Sequence, residues 1–248
     1  MGKITLSPEE LMVLSSFLDA ETFYGIADPF EDMTVQQIWA QIPDILNSAA
    51  RKGLLSMGFD DSVNIKKDVK KLLSLCINCD SYTRIRSADD LVNKVIYKKD
   101  GSFALLEALG NDLSLEEKEP DEIIKALQSE IFANLLKVSK EEASLKREAL
   151  EELKKDGKIT ASLKETWLSD EMLLLILKAF NNAAQYISMV IIDVRDGASC
   201  EAALIKDEDR ALKLCMDADL LGESFSFSWL SSEEAEKILT ELIKGEEE

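Results

Sequence analysis

Leu11, Leu14 and Leu18 recur at the three-to-four spacing of a helix that buries one face. Ser7-Pro8-Glu9-Glu10 precedes them, with a hydroxyl at N-cap, proline at N1 and a carboxylate at N3, so a helix starts there. An aromatic-rich loop follows, Phe23-Tyr24-Gly25-Ile26 and Asp28-Pro29-Phe30. The helical period returns from about Val35 through Ile38, Ile42, Ile45 and Ala49, with Pro43 as a bend or break and a stop at Gly53. Val69, Leu72 and Leu73 form the inward face of another helix over about Ile65 to Cys76.

From Tyr82 the period shortens towards two. Tyr82, Arg84 and Arg86 alternate with Thr83 and Ile85. The runs Val92–Lys98 and Ser102–Ala108 flank Asp100-Gly101, which predicts a hairpin. A strand over Asp112–Leu115 and a helix from Pro120 through Ile131 complete this half.

The order then begins again. Ser139-Lys140-Glu141-Glu142 is a second capping box, predicting a helix with Leu145, Ala149, Leu150 and Leu153 that stops at Asp156-Gly157-Lys158-Ile159. A helix over about Ser169–Asn181 follows, then strands over Tyr186–Val194, Ser199–Ile205, Arg210–Asp217 and Glu223–Trp229, with Asp196-Gly197 at the first turn. Ser231-Ser232-Glu233-Glu234 caps a last helix carrying Ala235, Ile238, Leu239 and Leu242. At one constant offset Leu46 falls on Leu150, Gly53 on Gly157, Leu73 on Leu177 and Tyr82 on Tyr186. The pattern predicts an α+β fold in two similar halves, 1–132 and 133–248, each with helices, antiparallel strands and one closing helix.

Composition narrows the function classes. The 248 residues are 46% apolar and 31% charged, an ordinary globular mixture rather than a disordered one. A net charge of −19 repels phosphate backbones and argues against nucleic acid as a partner. With no histidine, Ser-His and Cys-His nucleophile pairs and His-ligated metals are excluded. The opening Met1–Pro8 lacks a long apolar core, and the aliphatic run Met172–Leu177 is far short of the ~20 residues that span a bilayer. Four cysteines in a chain this long do not make a disulfide framework. A cytoplasmic protein without a membrane partner is the expectation.

Each candidate constellation has a plain alternative. Cys76-Ile77-Asn78-Cys79 has zinc-like spacing, but Cys200 and Cys215 make no second close pair, which favours ordinary buried cysteines. The turns Gly53-Leu54-Leu55 and Gly157-Lys158-Ile159 resemble the entry to a winged-helix wing, with Lys66, Lys67, Lys70 and Lys71 as the only modest basic cluster nearby. Winged-helix-like packing without DNA is favoured, and a winged-helix regulator remains the second reading. Arg84, Arg86, Lys94, Lys98 and Lys99 are a basic concentration that fits intramolecular charge pairs or a docking spot for an acidic partner. Phe225, Phe227 and Trp229 alternate with Ser224, Ser226 and Ser228, a half-buried strand whose aromatics pack the core. No nucleophile elbow, phosphate loop or dinucleotide fingerprint is present, and no catalytic, metal or cofactor residue is assigned. An unrecognised enzyme using carboxylates or a cysteine is the third reading.

The element order, the opening helix, Phe23-Tyr24-Gly25-Ile26-x-Asp28-Pro29-Phe30 and the Arg51-Lys52-Gly53-Leu54 turn resemble the EspG-type accessory proteins of type VII (ESX) secretion, in particular Firmicute relatives. The resemblance implies two pseudo-symmetric halves sharing a central, mostly antiparallel sheet flanked by helices. It also implies a non-catalytic cytoplasmic chaperone, without cofactor, that binds a small helical secreted substrate as a monomer or homodimer. No partner-contact residue can be carried over from it.

Overall fold

The computed structural model describes residues 2–20, 23–60, 62–87, 93–133, 135, 142–156, 169–181, 185–194, 199–207, 209–219 and 222–245. The first half opens with β1 (Ile4–Leu6), a short strand ahead of the expected helix α1 (Pro8–Ser16). The Ser7 capping box is formed: its side chain accepts from the Glu10 N–H, and Glu10 accepts from the Ser7 N–H at 2.7 Å. Helix α2 (Val35–Arg51) is capped the same way by Thr34 and Gln37, and Pro43 lies inside it. It ends in a Schellman motif, with the Leu54 N–H on the Ala49 carbonyl and the Gly53 N–H on the Ala50 carbonyl. Gly53 supplies the left-handed φ of 73° that this turn needs. The hairpin β2 (Leu55–Met57) and β3 (Val63–Ile65) and helix α3 (Lys67–Ile77) follow.

Strands β4 (Ser81–Ser87), β5 (Asn93–Lys99), β6 (Ser102–Leu109) and β7 (Asp112–Glu117) then lead to helix α4 (Pro120–Ile131). Asp100 and Gly101 take φ 47° and 77°, the paired positive values of the hairpin turn that an Asp-Gly pair favours. The second half runs through β8 (Glu142–Lys146), α5 (Arg147–Asp156), α6 (Asp170–Phe180), β9 (Gln185–Asp193), β10 (Ser199–Lys206), β11 (Ala211–Asp219), β12 (Gly222–Trp229) and α7 (Ser232–Lys244). Ten strands form one sheet in the order β1-β7-β6-β5-β4-β9-β10-β11-β12-β8, and β2-β3 form a separate pair. Counted inward from either edge, the two series have the same connectivity: β1-β7-β6-β5-β4 and β8-β12-β11-β10-β9. The fold is α+β, as the pattern predicts.

One expected helix is in part a strand. Leu145 sits in β8, where Ala143 and Leu145 point inward and Glu142, Ser144 and Lys146 outward. Leu145 pairs across to Phe225, so β12 takes up the backbone hydrogen bonds that a helix would have satisfied internally. The helix begins only at Arg147; Ser139, Lys140 and Glu141 lie outside the described residues, as do Gly157-Lys158-Ile159 and Asp196-Gly197. Because β8 takes the edge position that β1 takes, α5 answers to α1 rather than α2. The Leu46/Leu150 equivalence therefore fails, while Leu73/Leu177 on α3 and α6 and Tyr82/Tyr186, each second in its strand, remain.

The chain forms two compact units, Met1–Arg84 with Asn93–Ile123 and Ile191–Ser199, and Ile85–Val92 with Ile124–Val190 and Cys200–Glu248. In the first, Leu11 and Leu14 of α1, Leu46 and Ala49 of α2 and Val69, Leu72 and Leu73 of α3 share a core with Val95, Tyr97, Leu106 and Leu115 of the sheet. Each fully buried aliphatic side chain contributes about 1.5–3 kcal/mol of transfer free energy. In the second, Leu145, Leu153, Met172, Leu175 and Ile176 share a core with Ile205, Leu212, Phe227 and Trp229, the expected inward aromatics of β12. Strands β4 and β9 pair inside both units: the Val194 N–H donates to the Asp80 carbonyl in the first, and Ser188 Oγ donates to the Arg86 carbonyl in the second.

Candidate functional site

The aromatic loop is fixed to the sheet by three rings. Phe23 is buried edge-on to Tyr97 at 5.5 Å, Tyr24 stacks on Tyr82 at 5.7 Å, and Tyr97 Oη donates to the Tyr24 carbonyl at 2.7 Å. Gly25 follows at φ 80°, and a Cβ there would stand 2.9 Å from a Val95 methyl, so only glycine fits this approach. Asp28 Oδ1 then accepts from the Phe30 N–H at 2.9 Å and turns the chain so that Phe30 packs inward.

This turn contributes Asp28 and Phe30 to the lining of an open groove of about 230 Å³. Met12 and Val13 of α1, Ile38 and Ile42 of α2 and Phe30 make it apolar, and Ser15, Ser16, Ala20 and Asp28 complete the lining. The Ser15 Oγ is buried without a hydrogen-bond partner. Helix α2 places Val35, Ile38, Trp39, Ile42, Leu46 and Ala49 on one face by their three-to-four spacing. Its C-terminal half buries that face: Leu46 is 7% exposed and Ala49 0%. Its N-terminal half does not, since Val35 is 67% and Trp39 68% exposed. Pro43 stands between the two halves and lacks the N–H that the Trp39 carbonyl would otherwise receive.

The constellations picked out in the sequence resolve mostly into structure. Lys94 is buried and paired with Glu107; burial pushes the Glu107 carboxyl up, but the Lys94 ammonium, with Lys118 and Lys3, holds it below the usual range. Lys99 pairs with Asp80 at 3.0 Å, and the Lys98 ammonium lies 5.9 Å from the Phe103 ring centre. The basic concentration on β5 is therefore largely consumed within the chain, and only Arg84 and Arg86 stand on the exposed side of β4. Cys76 and Cys79 are buried at the end of α3, and burial is the chief cause that raises both thiols, Cys79 to about 11. Among the described residues no three of Cys, Asp and Glu converge as a metal site would require.

A wing does follow Gly53, as β2 and β3, with Met57 and Phe59 exposed at its tip. The helix before it is α2, whose only charges are Asp44 and Arg51. Lys66, Lys67 and Lys70 project from α3 instead, and Lys71 is tied to Glu117 at 2.7 Å. Neither helix presents the continuous basic face that a phosphate backbone requires. Val35 and Trp39 as exposed apolar residues were not legible as such; the helical spacing shows the face but not how far the core covers it.

No protein-family model and no curated sequence matches the chain. A solved structure does: the Mycobacterium tuberculosis type VII secretion system chaperone EspG5 in complex with a PE25-PPE41 dimer. The match covers 98% of this chain and 96% of that one, at a TM-score of 0.63 and 10% sequence identity. The fold is EspG-like. The likeness runs over the whole element order, so the helices, strands and closing helix of both halves are those of the EspG-like fold. At this identity it says nothing of individual side chains. Among the described residues no helix is long and apolar enough to cross a membrane.

Proposed function

We propose that the protein is a non-catalytic cytoplasmic carrier that binds helical substrates of a type VII (ESX-like) secretion system and covers their apolar surface until delivery. The observation that carries this reading is the likeness to EspG5 over nearly the full length of both chains, in a structure that holds a PE25-PPE41 dimer. The chemistry of the chain agrees with it. Lys94 and Lys99 are engaged in internal pairs, the CxxC thiols are buried and held protonated, and an apolar groove lies beside uncovered apolar side chains. Surface contact of that kind holds a partner and supplies no proton, nucleophile or metal. On the same reading the halves 1–132 and 133–248 are copies of one module, supported by their matching strand connectivity. The carrier acts as a monomer or homodimer, with no cofactor.

Affinity capture of the full chain from its native cell, with mass spectrometry of the eluate, tests the proposal. The expected result is stoichiometric recovery of a small, mainly helical protein that also appears in the culture medium. Recovery of the free protein alone would overturn it. Salt-sensitive retention of duplex DNA would instead support the winged-helix regulator.

A further inference from the structure

We propose that the groove between α1 and α2, together with the Val35/Trp39 stripe beside it, is a docking site for a basic amphipathic helix of a partner protein. The proposal deepens the carrier reading and rests on it: it names a surface and the chemistry of what that surface holds.

Three observations carry it. The groove runs between two helices that already touch, and Met12, Val13, Ile38 and Ile42 give it an apolar floor. A third helix laid alongside at the usual 8–10 Å spacing completes such a packing. Secondly, Val35 and Trp39 extend the same apolar face beyond the core, one turn apart, at 67% and 68% exposure. Tryptophan, with tyrosine and arginine, is enriched at the energetic centres of interfaces. Thirdly, the rim has one sign of charge. From Ile4 to Ala50 the chain has no lysine or arginine. Asp28 is part of the lining, Asp19 precedes the lining residue Ala20, and Glu31 and Asp32 follow Phe30; all four carboxylates are exposed. An apolar floor inside an acidic rim complements a helix with an apolar stripe flanked by lysine or arginine and repels an acidic one. A second copy of this chain, with a net charge of −19, is the poorer occupant.

The test uses the full chain and a fluorescein-labelled designed peptide of leucine and lysine in helical spacing, followed by fluorescence anisotropy. Controls are the same peptide with glutamate for lysine and an oligolysine of equal charge. The expected result is binding of the leucine–lysine peptide alone, weakened about tenfold by Val35→Ser with Trp39→Ser. Glu31→Gln with Asp32→Asn should weaken it about threefold at low salt and less at high salt. Because all four positions are exposed, the melting temperature should be unchanged. Equal binding by the double serine variant, or equal binding of oligolysine or the glutamate peptide, would overturn the proposal. So would sedimentation showing a wild-type dimer that the serine variant dissolves, since the occupant would then be a second copy. Capture from the native cell separates the two proposals. A partner recovered equally by wild type and serine variant leaves the carrier reading standing and removes this surface. No partner with wild type, alongside the expected peptide discrimination, does the reverse.

Discussion

Tyr97 is fully buried in the middle of β5, yet its hydroxyl reaches the Tyr24 carbonyl and its ring meets both Phe23 and Tyr82. One polar tip on an apolar body thus satisfies a loop carbonyl that would otherwise lie unpaired beside the core. Burial also raises this phenol and the neighbouring thiols of Cys76 and Cys79. The sign of the consequence is fixed. Above an ordinary thiol value of 9.0 the unfolded chain releases protons that the native chain retains, so stability is intact below about pH 9 and falls as pH climbs towards 11. The urea midpoint should drop between about pH 8 and about pH 10.5 by the equivalent of about 1–3 kcal/mol. A flat midpoint would contradict the burial assigned to these groups. At this scale the sequence exposes much: Ser7, Asp100 and Gly53 each announce a cap or turn through chemistry confined to a few neighbours. It does not expose Lys94–Glu107 or Lys99–Asp80, because those pairs depend on strand register and tertiary approach.

The elements divide by how local their causes are. Helices α1, α6 and α7 carry their own caps and stripes, and their limits lie close to those the pattern predicts. Strands β1 and β8 do not declare themselves. Three residues of β1 and five of β8 are too few for a period to stand out, and each forms an edge of the sheet because the next strand in, β7 or β12, offers it a ladder. Helix α2 is the intermediate case: its face is written in the spacing, while the groove beneath it arises only when Phe30 folds back towards α1. Pro43 is exposed in the interior of that helix, where proline costs about 3 kcal/mol relative to alanine. Pro43→Ala should therefore raise stability by about 1–3 kcal/mol in urea unfolding, with a gain in helical circular dichroism. Lower stability would mean that the bend, rather than continuous helix, is what the α1–α2 packing needs.

For the molecule as a whole, the excess of carboxylates is a uniform pressure against compactness. Raising sodium chloride from about 0.02 M to about 0.5 M shrinks the screening length severalfold and should raise the melting temperature by a few degrees. A fall would place more weight on surface ion pairs such as Lys71–Glu117 than their exposure warrants. The double use of β4 and β9 has a further consequence. Cut between 132 and 133, the chain would give two pieces, neither owning a complete core: the first unit borrows Ile191–Ser199 from behind the cut, and the second borrows Ile85–Val92 and residues 124–132 from ahead of it. Co-expressed, such pieces should behave as an obligate pair that regains structure only together, which is the behaviour wanted of a split reporter.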